Sequence, residues 1–187
     1  GVRTPSSISL VANLDKLLSS IVSVFANLAS GKLRKPAALQ ILQGIETLPL
    51  RMQRHVENTS AVVNFLQEQD QVEWLNHPIL PSHPDHALAK TILPKGCGAV
   101  FSFGIKGGRE AGIKFIEHLE LFSHLANVGD AKSLVIHPAS TTHHRMDRKS
   151  LKAAGISEGL IRLSIGLEDS GDLMADLKRG LKASQKV

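Results

Sequence analysis

The chain has 187 residues, 42% hydrophobic and 21% charged, which fits a globular protein with a substantial core and excludes wholesale disorder. Its formal charge of +5 comes from 22 Lys and Arg scattered from Arg3 to Lys186; with six Phe, one Trp and no Tyr there is no stacking platform, so nucleic-acid binding is not expected. A single cysteine, Cys97, excludes an internal disulfide framework and a Cys-based zinc site.

Leu10, Leu14, Leu17, Leu18, Ile21, Phe25 and Leu28 recur at three- and four-residue steps, which predicts an amphipathic helix over 8–29, stopped by Gly31. Asn13, Asp15, Lys16 and Asn27 interrupt this stretch, so a membrane span is not expected, and no small-residue cleavage site marks a secretory signal. The chain opens at Gly1 without an initiator methionine, so a segment upstream of it is expected. A second helix is predicted from Pro36, with Leu39, Leu42, Ile45 and Leu48 in period, kinked or broken by Pro49 and resumed from Met52 to Leu66.

Beyond Gln69 the pattern changes. Val72–Leu75 alternates like a strand, 77–84 is a proline-rich loop and 85–92 a short helix. Ala99–Lys106 alternates again between glycines, and 110–121 is helical with Ile113, Ile116, Leu119 and Leu121 as its buried stripe. Strands are predicted at 133–137 and 160–165, a short helix at 148–154 and a closing amphipathic helix at 172–181. Strands alternating with helices over 70–187 predict an α/β two-layer sandwich, preceded by a long kinked helix over 36–69 and a helical segment over 1–35.

The segments Gln43–Met52, Gly107–Gly112, Asn127–Leu134, His137–His143 and Ile161–Asp169 together resemble the Cys/Met-metabolism family of pyridoxal-phosphate enzymes. They come in family order and cover about residues 36 to 181, whereas 1–35 carry no recognisable likeness. The form Asn127-Val128-Gly129-Asp130 is similar to the O-acetylhomoserine sulfhydrylase branch, since lyases and cystathionine synthases usually carry serine at the position of Asn127. The resemblance implies the carboxy-terminal small domain of a fold-type-I enzyme: a small, mostly antiparallel sheet covered by helices and preceded by long helices. It also implies pyridoxal phosphate as cofactor, an amino-acid substrate, a homo-oligomeric full-length enzyme and a cytoplasmic location. The chemistry implied is replacement of an acyl leaving group by sulfide, with carbanion charge stored in the cofactor ring.

Three residues are candidates for substrate binding. Alternation puts Ile161, Leu163 and Ile165 on one face of a strand and Arg162 and Ser164 on the other. A guanidinium there must be paired, and its planar fork matches a carboxylate. The resemblance implies that Arg162 grips the substrate's α-carboxylate, whereas the residues alone favour an internal ion pair with Glu168 or Asp169. Asn127 and Thr142 are placed by the resemblance near the same carboxylate, with a turn role for Asn127 and a capping or strand role for Thr142 as the structural alternatives.

Nine histidines raise a metal site, in the groups His77, His83, His86 and His137, His143, His144. Neither spacing matches a helical zinc pattern, so structural or solvated histidines are expected and no metal. Arg51, Arg54 and His55 read as a subunit or cofactor contact or as a solvated helix face. No lysine from Lys16 to Lys186 stands in the small-hydroxyl, lysine, aromatic context of the family's catalytic residue. By the resemblance that lysine, the phosphate-cradling turn and the aspartate for the pyridine nitrogen belong upstream. The chain alone is expected to be inactive, with a non-catalytic binding or oligomerisation module as the alternative.

Overall fold

The computed structural model describes residues 27, 30, 31, 35–127, 129–141 and 148–185. The helix expected over 8–29 lies almost wholly outside them. Gly31, expected to stop that helix, has φ +68°, a left-handed conformation that glycine takes without a Cβ penalty.

The described residues fall into two units, those up to Leu50 and those from Arg51 onwards. In the first, α1 (Lys35–Glu46) carries Pro36 in its first turn, where no helical N–H is required. Its apolar row Leu39, Leu42 and Ile45 is exposed. The helical run breaks at Thr47, and α2 (Leu48–Gln67) then begins with Pro49 in its first turn. The expected interruption therefore occurs, but Pro49 starts a helix rather than ending one.

The second unit continues through β1 (Val72–Asn76), α3 (His86–Ile92), β2 (Val100–Ile105), α4 (Gly108–Glu117), β3 (Ser123–His124), β4 (Leu134–Ile136), α5 (Arg148–Ala153), β5 (Leu160–Ser164) and α6 (Ser170–Ser184). The five strands form one sheet in the order β1-β2-β5-β4-β3. Three of its pairings are antiparallel and one, β3 with β4, is parallel. This is the α/β fold expected, a small and mostly antiparallel sheet with helices against it.

Cross-strand pairs set the two faces. Phe101 lies opposite Leu163 and Phe103 opposite Ile161, and all four are buried. Val62, Val63 and Leu66 of α2, Ala111 and Phe115 of α4, and Leu173, Leu177 and Leu181 of α6 complete one core on that face. Phe103 and Phe115 meet edge to face at 5.7 Å. The opposite face carries Trp74, Ser102, Arg162 and Ser164, all half-buried. Trp74 lies over Gly104, where any Cβ would collide with the indole.

Helix α4 corrects the predicted stripe. It ends at Glu117, and its buried residues are Ala111, Gly112, Phe115 and Ile116, with Ile113 and Leu119 only half-buried. Small residues win because neighbours approach closely: a Cβ on Gly112 would lie 2.6 Å from His137 Nε2. On α6, a Cβ on Gly180 would lie 2.9 Å from both the Phe115 ring and its carbonyl oxygen.

The buried carboxylate of Asp176 on α6 fixes the turn after α4. It accepts hydrogen bonds from the backbone N–H of Glu120 at 2.9 Å, Leu121 at 2.9 Å and Phe122 at 3.2 Å. Arg179 pairs with Asp176 at 2.7 Å and also with Glu120. An amide cannot accept three such donors with one oxygen.

Two stability outcomes follow from these contacts. Gly180→Ala should lower stability by about 1–3 kcal/mol, because overpacking against a backbone carbonyl outweighs the helix-propensity gain. Asp176→Asn should cost roughly 2–4 kcal/mol, since it strands buried backbone donors. Urea unfolding of both variants measures this; a Gly180→Ala protein more stable than the parent would refute the close packing of α4 on α6.

Candidate functional site

Strand β5 lies between β2 and β4, so Arg162 has Ser102 on one side and Ile136 on the other. With Ile161, Leu163 and Ile165 fully buried below, the pleat sends Arg162 to the opposite face, as the alternation predicts. Around it lies a depression lined by Leu125, Ala126, Asn127, Leu134, Ile136 and Ser164. Arg162 and Asn127, far apart in sequence, thus meet in one place. Thr142, the third predicted residue, lies outside the described residues, as do His143 and His144.

Among the described residues the Arg162 guanidinium makes no hydrogen bond and no ion pair, although it is half-buried. The acids that could have satisfied it internally are engaged elsewhere. Glu168 accepts hydrogen bonds from the Ser133 backbone N–H at 2.7 Å and from the Ser133 hydroxyl at 2.9 Å. Asp169 caps α6 by accepting from the Gly171 N–H at 2.8 Å. A cation left without an internal acid, at the mouth of an apolar depression, is suited to an anionic group from outside.

Asn127 has a turn role as well. Its amide donates to the Asp130 carboxylate at 3.2 Å, and Asp130 also accepts from the Lys132 N–H at 3.1 Å. Those bonds, the Lys132 one first, hold the Asp130 carboxyl below its usual range. Residues 125–127 follow β3, whose parallel pairing with β4 sets Ser123 opposite Leu134. The sequence reading missed β3, and with it the means by which Asn127 reaches the Arg162 strand.

The other end of the site is held by α2. His55 is buried and donates from Nδ1 to the Ile165 carbonyl at 2.6 Å. The Asn58 amide donates to the carbonyls of Gly166 at 2.9 Å and Glu168 at 2.8 Å. His55 is therefore not solvated; its Nδ1 anchors the end of β5. Polar residues at 55, 58 and 59, on the same helix face as Val62 and Leu66, were the available signal.

The depression holds about 160 Å³ of open space. That figure includes space open to solvent, so the depression is a shallow recess that receives one end of a ligand. Every lysine whose side chain is described, from Lys90 to Lys182, is exposed, and none lines it.

His77, His83, His86 and His137 take structural roles. His77 Nδ1 accepts from the Ile79 N–H at 3.2 Å, His83 Nδ1 from the Asp85 N–H at 3.1 Å, and His86 Nδ1 donates to the Pro78 carbonyl at 2.8 Å. His137, fully buried, donates from Nε2 to the Glu158 carbonyl at 2.7 Å and accepts at Nδ1 from the Ser140 hydroxyl at 2.8 Å. Among the described residues no three potential ligands converge on a metal position. Burial lowers the pKa of His137, and that of His77 from 6.5 to about 4. The Gly98 backbone acts in the raising direction on His77, but Nε2 makes no hydrogen bond of proper geometry and is the one orphaned buried side-chain atom among the described residues.

Both histidines are neutral in the fold and more basic when unfolded, so the unfolded chain binds more protons as pH falls through this range. The His77 contribution is intact above pH 6.5 and is lost on acidification towards pH 4, and His137 acts in the same direction. For His77 the full loss is about 3 kcal/mol. His77→Asn, which keeps an acceptor for the Ile79 N–H but cannot titrate there, should flatten the decline of unfolding free energy between pH 6.5 and 4. Equal slopes in variant and parent would rule out His77 as a source of acid sensitivity.

Comparison with known proteins extends the match. A family model described as Cys/Met metabolism PLP-dependent enzyme covers residues 9–182. It begins upstream of the first recognisable motif, so residues 9–35, which carried no visible likeness, fall inside the family alignment. The O-acetyl-L-homoserine sulfhydrylase of Leptospira meyeri is 52% identical over 146 residues, 78% of this chain and 33% of that protein. O-acetyl-L-homoserine sulfhydrylase 1 of Thermus thermophilus is 52% identical over 141 residues, 75% of this chain and 34% of that protein. A crystal structure from Campylobacter jejuni, described as an O-acetylhomoserine (thiol)-lyase with N'-pyridoxyl-lysine-5'-monophosphate, superposes with a TM-score of 0.71 at 41% identity. That superposition covers 79% of this chain and 35% of the other. The chain spans about a third of the length of the curated relatives it matches, and the family model covers residues 9–182 of it: it belongs to the Cys/Met-metabolism family of pyridoxal-phosphate-dependent enzymes.

Proposed function

We propose that this chain is the substrate-carboxylate-binding, carboxy-terminal part of an O-acetylhomoserine sulfhydrylase, in which sulfide replaces acetate to give homocysteine. The observation that carries the reading is the half-buried Arg162 guanidinium, without an internal acid among the described residues, in a depression shared with Asn127. The Asn127-Val128-Gly129-Asp130 form and the sulfhydrylases among the relatives favour this branch.

The described residues do not fit pyridoxal phosphate itself. Among the described residues no lysine faces the depression, so none there supplies the covalent anchor for the cofactor. The contribution assigned to these residues is therefore binding and orientation. Arg162 fixes the acid end of the amino acid by two parallel N–H···O bonds, and that sets which bond at the α-carbon faces the chemistry supplied elsewhere.

The test uses the 187-residue chain and nuclear magnetic resonance titration with O-acetyl-L-homoserine and its methyl ester. The free acid should shift the resonances of Arg162 and Ser164, and the ester should leave them in place. Arg162→Ala should weaken the response about tenfold or more, and Arg162→Lys should recover only part of it because the charge returns without the fork. Since Arg162 has no internal ion pair among the described residues, the stability of Arg162→Ala should stay within about 1 kcal/mol of the parent. Equal binding of acid and ester would overturn the reading. Homocysteine production by the chain alone, from O-acetylhomoserine, sulfide and pyridoxal phosphate, would overturn its restriction to binding.

A further inference from the structure

Resting on the reading of Arg162 as a carboxylate receptor, we propose that Ser133 is a positioning residue for that site. It holds the Glu168 carboxylate in a slot over Gly166 and so keeps Arg162 open to an acid from outside.

Arg162 and Ser164 lie on the half-exposed face of β5, and Gly166 continues their two-residue step just past the end of the strand, where it is buried. This third place has no side chain. A Cβ on Gly166 would overlap the Glu168 Oε2 atom and come within 2.5 Å of both the Ala131 carbonyl oxygen and the Ser133 nitrogen. The glycine thus leaves a slot, and the carboxylate of Glu168 fills it. This puts an acid at the position four residues beyond the guanidinium, at most about 13 Å along the backbone. Two long, oppositely charged side chains can close that gap.

Three hydrogen bonds keep it open. The Ser133 N–H donates to Glu168 at 2.7 Å, and the Ser133 hydroxyl donates to the other carboxylate oxygen at 2.9 Å. The same hydroxyl accepts from the Gly166 N–H at 2.7 Å, so Oγ both binds the acid and seats the glycine beneath it. Ser133 is fully buried, which strengthens these bonds relative to water. The further acids near the site are tied in other ways, Asp169 to the start of α6 and Asp130 to Asn127 and Lys132. Glu168 is the acid whose release would matter, and loss of the Ser133 hydroxyl leaves it held by the Ser133 N–H alone.

The experiment reads the Arg162 Nε–Hε resonance, which moves when the guanidinium pairs with a carboxylate, together with the Kd for O-acetyl-L-homoserine in the 187-residue chain. In Ser133→Ala the Arg162 signal should shift before any ligand is added, and Kd should rise about fivefold. In Ser133→Ala combined with Glu168→Gln, both should return to the parent values, a rescue that mere loosening of the fold does not give. Ser133→Cys, near in size but a weak donor, provides the same comparison if the alanine variant does not fold. An unshifted Arg162 signal in the single variant, or no recovery in the double variant, would overturn the proposal while Arg162→Ala still abolishes binding. If Arg162→Ala binds as the parent does, the underlying carboxylate reading fails first, and the role of Ser133 falls with it.

Discussion

Everything at the site depends on β5 being the central strand of an antiparallel triplet. With β2 on one side and β4 on the other, its register cannot slip by one residue without turning Ile161, Leu163 and Ile165 out of the core. The burial of three large aliphatic side chains, on the order of 2 kcal/mol each, therefore fixes where a single guanidinium points. The cation is not placed by its own interactions, since among the described residues it has none; it is placed by its neighbours' aversion to water.

Around that strand the polar contacts serve position rather than bulk stability. His55 and Asn58 grip the carbonyls of residues 165, 166 and 168 from α2. Asp176 fixes the turn at 120–122 from α6, and the chain runs from there through β3 to Asn127. The two halves of the depression are thus each hung from a different helix, and both helices contribute to the same core. A buried carboxylate or histidine is a costly way to hold a loop, but its directionality fixes geometry that apolar packing leaves loose.

How much of this could be read from the sequence varies with the range of the interaction. The alternation of Ile161, Leu163 and Ile165 gave away the side of the strand that Arg162 occupies, because strand parity is local. The break near Pro49 was legible for the same reason. Strand β3 was not, since Ser123–His124 has no apolar alternation and exists through a pairing with residues 134 and 135. The stripe of α4 was misplaced because large apolar residues were favoured over Ala111 and Gly112, whose small size is what lets His137 approach. The engagement of Glu168 with Ser133 joins residues 35 apart, so the choice between an internal ion pair and a free Arg162 had to wait for the fold.

The glycine beneath Trp74 has a use of its own. Gly104 leaves the indole lying flat on the half-exposed face of the sheet, one strand removed from β5, and the chain contains no other tryptophan. Its fluorescence is therefore a native gauge of whether that face meets solvent or another protein surface. Any body that settles over the guanidinium side of the sheet must dry this ring and move its emission to the blue, with no label required.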